Sequence, residues 1–137
     1  MKVNALSEHV VVSSTTAYIE QQSDIQNNRF VFAYKITISN QSDEIVQLLS
    51  RHWIIQDANL KVEEIYGEGV IGEQPIINPG ESYSYTSGAI LETEIGTMEG
   101  RYFLISKPKS SIENKFEDTE FEISIPKFTL TIPRTLH

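Results

Sequence analysis

The stretch Phe30-Val31-Phe32-Ala33-Tyr34-Lys35-Ile36-Thr37-Ile38-Ser39-Asn40 sets apolar side chains at Phe30, Phe32, Tyr34, Ile36 and Ile38, with Lys35, Thr37 and Ser39 between them. A period of two is the pattern of a strand with one face buried and the other wet. Outward from it, residues 10–19 begin Val10-Val11-Val12 and stay rich in β-branched side chains, which predicts a first strand. Ile45–Asp57 carries Leu49, Trp53 and Ile55 on one parity and Val46, Leu48 and Ile54 on the other, as expected of a central strand apolar on both faces. Residues 61–66 form a short strand that stops at Gly67, and Ile76-Ile77 is pinned between Pro75 and the turn Asn78-Pro79-Gly80. Further strands are predicted at 82–86, 101–105, 121–125 and 128–132, and residues 107–118 read as a polar surface loop.

Nowhere do apolar residues recur at helical spacing over three turns behind a capping box, so no long helix is expected. Many strands, turn residues between them and no helical crossovers predict an all-β protein. The expected architecture is an immunoglobulin or fibronectin type III-like β-sandwich of two antiparallel sheets, with a closed barrel as the rival. Trp53, the sole tryptophan, lies mid-strand and is expected in the structural core between the sheets. The length of 137 residues corresponds to a single domain, 1–137, able to bury about two thirds of its unfolded surface without a metal or a disulfide. Sandwich edges leave a weak homodimer open as an assembly state.

Composition narrows the chemistry. The absence of cysteine excludes a disulfide framework, a thiolate zinc site, an iron–sulfur cluster and a cysteine nucleophile. Eleven Lys and Arg against 19 Asp and Glu leave a formal charge of −8, which repels nucleic acid. The densest basic stretch, Lys107, Lys109 and Lys115, is diluted by Glu113, Glu117 and Asp118, so no nucleic-acid partner is expected. No window approaches the roughly 18 apolar residues of a membrane helix, and the N-terminal residues form no secretory apolar core. The expected location is the cytoplasm, with no membrane partner.

Three patterns bear on function. Gly67-Glu68-Gly69-Val70-Ile71-Gly72 matches G-x-G-x-x-G after a predicted strand. In a dinucleotide site the last glycine opens a helix whose N-terminal amides hold the pyrophosphate. Here Pro75 and Pro79 forbid such a helix, and Glu68 and Glu73 would set carboxylates beside a polyanion, so a loop shaped by its glycines is the better reading. Ser50, His52 and Asp57 suggest a nucleophilic triad, yet Asp57 has the opposite strand parity from the other two and no oxyanion hole is marked. Histidines occur only at 9, 52 and 137, without metal-ligand spacing; Glu63, Glu64, Glu92, Glu94 and Glu99 offer scattered oxygen ligands for a weakly held divalent cation. Neither a catalytic residue, a cofactor nor a built metal site is expected, and the chain is not read as an enzyme.

The run Leu49-Ser50-Arg51-His52-Trp53-Ile54-Ile55-Gln56-Asp57-Ala58-Asn59 resembles the signature of the ApaG family. The resemblance continues in register through Val62 to Pro75, Asn78 to Gly88, Leu91-Glu92-Thr93, Gly96 to Tyr102 and Ile125 to Leu130. It implies a fibronectin type III-like sandwich. It also implies a domain of unsettled biochemical role, sometimes connected with cobalt and magnesium tolerance in bacteria and found beside protein-interaction modules in eukaryotes. The chain departs from the family pattern at Leu60, where glycine is frequent, and at Ala89-Ile90 and Glu94, where Cys-Pro and Pro are frequent. The first departure predicts a different hairpin turn. The functional expectation is a non-catalytic protein–protein interaction module with an unidentified protein partner. Its candidate interaction loop comprises Gly67, Glu68, Gly69, Gly72, Glu73, Gln74 and Pro75, adjoined by Arg51 and His52. The alternative is a divalent-cation (Mg²⁺ or Co²⁺) or small-anion binder linked to metal homeostasis.

Overall fold

The computed structural model describes residues 5–107 and 118–133. Among these residues eight strands form two antiparallel sheets: β1 (Val10–Tyr18), β2 (Phe30–Asn40), β3 (Ile45–Asp57), β4 (Val62–Glu68), β5 (Ile76–Ile77), β6 (Ser82–Leu91), β7 (Ile95–Lys107) and β8 (Thr119–Thr131). One sheet has the order β1-β2-β6; the other has β4-β3-β7-β8, with β5 paired to β3 beyond the end of β4. The two sheets are separate, which is a sandwich and not a closed barrel. A single helical turn, α1 (Ala5–His9), precedes β1.

The alternation in β2 holds: Phe30, Phe32, Tyr34, Ile36 and Ile38 are buried against the opposite sheet, while Thr37 and Ser39 form hydroxyl pairs with Ser84 and Ser82 on the wet face. The strand read at residues 82–86 is the first half of β6, and 101–105 lies in the second half of β7. The two strands expected at 121–125 and 128–132 are one. The pairing steps from Met98↔Phe128 to Gly100↔Ile125, so β8 carries an extra residue around Pro126 and Lys127. Proline lacks a ladder donor, and a bulge on an edge strand is where a sheet tolerates it. The predicted loop at 107–118 falls mostly outside the described residues; its ends are joined by a Lys107–Asp118 ion pair at 3.5 Å.

β3 is the central strand expected, but for a different reason than two apolar faces. Its register against β7 slips between Leu48 and Ser50, leaving Leu49 as an extra residue. A bulge reverses parity. Val46 and Leu48 before it and Trp53 and Ile55 after it therefore all point into the core. Trp53, 2% exposed, meets Tyr34, Tyr102 and Phe128 edge-on at centroid distances of 5.4, 6.3 and 5.9 Å. A buried amide, unremarked in the sequence, ties the sheets together. Asn40 donates to the carbonyls of Glu44 and Ile77 and accepts from Ser42 through both its backbone N–H and its hydroxyl.

The β3–β4 hairpin turns through Ala58, Asn59 and Leu60. Asp57 closes the turn, accepting the Leu60 N–H on its carbonyl and the Asn59 and Lys61 N–H groups on Oδ1. Leu60 takes φ of +67°, so it stands in the left-handed conformation that glycine favours.

Two stability measurements follow from this packing. Trp53→Ala is expected to cost about 3–5 kcal/mol in denaturant unfolding, the range for truncating a buried aromatic. Leu60→Gly is expected to raise stability by about 0.5–1 kcal/mol, since the leucine is 74% exposed and its strain is relieved.

Candidate functional site

The bulge at Leu49 does more than turn parity. Its carbonyl accepts the Gly69 N–H at 2.7 Å and the Gln74 Nε2 at 2.9 Å, so the extra residue of β3 anchors the loop that follows β4. Gln47 Nε2 donates to the Gln74 carbonyl and the Leu48 N–H to the Pro75 carbonyl, which stitches the returning limb to β3. Val70 is fully buried and pegs the loop into the core. Arg51 points inward and reaches along β4, its guanidinium donating to the carbonyls of Glu68 and Gly69 at 3.1 and 2.6 Å.

The three glycines of G-x-G-x-x-G have separate structural reasons. A Cβ on Gly67 would lie 2.7 Å from the Arg51 guanidinium, which passes flat across it. A Cβ on Gly69, at φ +61°, would fall on the Glu73 carbonyl oxygen. Gly72, at φ +77°, has open space around it and serves a turn. Val70 and Glu73 exchange backbone hydrogen bonds at 2.8 and 3.0 Å across Ile71 and Gly72. Both central residues have positive φ, the combination that type I′ hairpins demand. The motif is thus a tight β-hairpin, and no helix opens at its last glycine.

Ile71 is the feature that the sequence did not single out. It is β-branched, 59% exposed, and held at φ +48° at the tip of this hairpin. Such a residue in the left-handed region is a strained outlier. Glu68 and Glu73 flank it with exposed carboxylates.

Of the residues named from sequence, Arg51, Gly67, Glu68, Gly69, Gly72, Glu73, Gln74 and Pro75 do converge on one loop. Arg51 and Gln74 spend side-chain donors on backbone carbonyls of the loop and the bulge, while Glu68 and Glu73 display exposed carboxylates. The charge of the Arg51 guanidinium favours the ionised forms of Tyr34, Tyr85 and Tyr102, yet burial dominates and pushes all three hydroxyls up. Tyr85 and Tyr102 hydrogen-bond each other within the core.

His52 does not join this loop. One residue beyond Arg51, it emerges on the opposite face of β3. There its ring stacks on Tyr66 at 4.1 Å and its Nε2 meets Glu64 at 3.0 Å. Asp57 is spent on the hairpin turn, so Ser50, His52 and Asp57 form no triad. Among the described residues no three of His, Asp or Glu gather as metal ligands. No helix among them is long and apolar enough to cross a membrane.

Hydrogen bonds from His52 and then Tyr66 hold the Glu64 carboxyl below its ordinary value of 4.5. A carboxyl lowered on folding contributes stability above its unfolded pKa and loses it as pH falls through the folded one. Wild type should therefore lose more stability than Glu64→Gln when urea midpoints are followed from neutral pH to below 4.5. For the loop, Gly72→Ala should cost about 1 kcal/mol from its φ alone, and Gly69→Ala clearly more, because a clash with backbone adds to the same strain.

Relatives share this architecture. A family model for the ApaG domain matches residues 20–106. The ApaG protein of Thiobacillus denitrificans is 46% identical over 126 residues, covering 92% of each chain. The ApaG protein of Escherichia coli O1:K1 is 45% identical over 131 residues, covering 96% of this chain and 98% of its own. The crystal structure of a Bordetella pertussis protein designated ApaA superposes with a TM-score of 0.81 at 43% identity, over 92% of this chain and 95% of that one. The loop, its bracing bulge and the sandwich beneath them are those of a chain that belongs to the ApaG domain family.

Proposed function

We propose that the protein is a non-catalytic protein–protein interaction module acting in the cytoplasm, with the 67–75 hairpin as its contact surface. The observation that carries this reading is Ile71, a β-branched residue kept exposed at the hairpin tip in a strained conformation. Strain of this kind costs about 1–3 kcal/mol and collects at ligand clamps and contact loops. The bracing by Leu49, Arg51 and Gln74 supports the same reading, because a loop already ordered loses little entropy on docking. Loops on a rigid sandwich are where such folds carry binding.

The test is affinity capture from native lysate, comparing wild type with a Glu68→Ala, Ile71→Gly, Glu73→Ala triple variant. Gln74 is left intact because it holds the loop together. A partner retained by wild type and lost by the variant, with the melting temperature unchanged or raised, is the expected result. Equal capture by both would retire the loop as the contact surface. Heat on titration with Mg²⁺, Co²⁺ or a nucleoside triphosphate, with no protein captured, would favour a ligand-binding protein instead.

A further inference from the structure

The free edge of β4 is a second surface, continuous with the loop. The Gly69 N–H donates to the Leu49 carbonyl and the Asp57 N–H to the Lys61 carbonyl, which fixes the phase of the β3–β4 ladder. With that phase, residues 61, 63, 65 and 67 spend their backbone groups on β3. Val62, Glu64 and Tyr66 direct their N–H and C=O groups away from it. β4 pairs with β3 alone among the described residues, so those groups form an open edge. Glu68 is the boundary, since Arg51 already occupies its carbonyl.

The side chains along this edge state what fits. Val62 and Tyr66 are exposed, Tyr66 to 69%, with Glu64 between them on the same face. Glu63 and Glu68 are exposed and make no ion pair among the described residues. The neighbouring cations are engaged: Lys61 with Glu92, Arg101 with Glu122, and Arg51 with the loop carbonyls. A second copy laid along β4 would bring glutamates against glutamates, which opposes self-pairing. An extended segment bearing Lys or Arg at alternate positions would find backbone partners, carboxylates and apolar contacts together.

We propose that β4 captures an extended basic peptide segment by strand addition, its backbone pairing with Val62, Glu64 and Tyr66 and its cations meeting Glu64 and Glu68, which share the outer face of the strand. This deepens the interaction-module reading and rests on it.

The probe is a synthetic end-blocked peptide alternating lysine with valine, with its glutamate counterpart as control. On binding, amide hydrogen exchange at Val62, Glu64 and Tyr66 should slow, and the control should leave it unchanged. Glu64→Ala and Glu64→Pro both remove the carboxylate, but only the proline removes an outward N–H that β3 does not use. Glu64→Pro is expected to bind the lysine peptide about fivefold more weakly than Glu64→Ala, the worth of one hydrogen bond. Binding without protection of these amides in wild type, or equal affinity of the two folded variants, overturns strand addition as mere charge attraction. No binding of the lysine peptide overturns it as well. The two readings also separate. Protection of β4 by the peptide in the loop triple variant upholds strand addition even if the loop is retired, whereas capture lost with the loop and no protection on β4 overturns strand addition and leaves the loop reading standing.

Discussion

One inserted residue, Leu49, governs both the core and the loop of this protein. Without it, β3 could bury Val46 and Leu48 or Trp53 and Ile55, but not both pairs, because strand side chains alternate strictly. With it, all four reach the inner face, and Trp53 becomes the hub of an edge-on aromatic cluster. The same insertion withdraws the Leu49 carbonyl from the ladder with β7 and offers it to Gly69 and Gln74. Core packing and loop placement are therefore two consequences of a single irregularity.

The two faces of β3 divide the chemistry that follows. Arg51 faces inward and braces the hairpin from below; His52, its neighbour, faces outward and builds a small platform with Tyr66 and Glu64. The G-x-G-x-x-G run draws on the first face alone, and its glycines answer to a guanidinium, a carbonyl and a turn in succession. That accounts for a motif which, in a nucleotide fold, would answer to a pyrophosphate and a helix N-terminus. Here a hairpin replaces the helix, since Val70 and Glu73 close on each other directly. The strain left over falls on Ile71, an exposed residue for which the core has no use.

An open strand edge beside a braced loop also needs protection against self-association. Glutamates at 63, 64 and 68 supply it, since like charges oppose edge-to-edge pairing of copies. Under the strand-addition proposal the same carboxylates would welcome a segment of opposite charge, so one device would oppose self-pairing and favour that partner. At the other edge of this sheet, β8 is interrupted by a bulge around Pro126, another way to discourage pairing.

The sequence by itself determined what depends on local pattern. The alternation of β2, the turn at Asn78-Pro79-Gly80 and the crowding of proline after Gly72 were enough for an all-β sandwich with Trp53 inside and no phosphate helix, because pleat and proline geometry act within a few residues. The convergence of Arg51 with residues 67–75 was legible from their adjoining segments and the family pattern. Only the tertiary structure decided what depends on register between distant strands. Ile45–Asp57 read as apolar on both faces because a bulge reverses parity and shows only against β7. The paired halves of β8, the separation of His52 from Arg51's loop, the left-handed strain at Leu60 and Ile71, and the freedom of the β4 edge all arise from which strand lies beside which. Pairing over such separations is set by the global fit of the two sheets, and no window of sequence contains it.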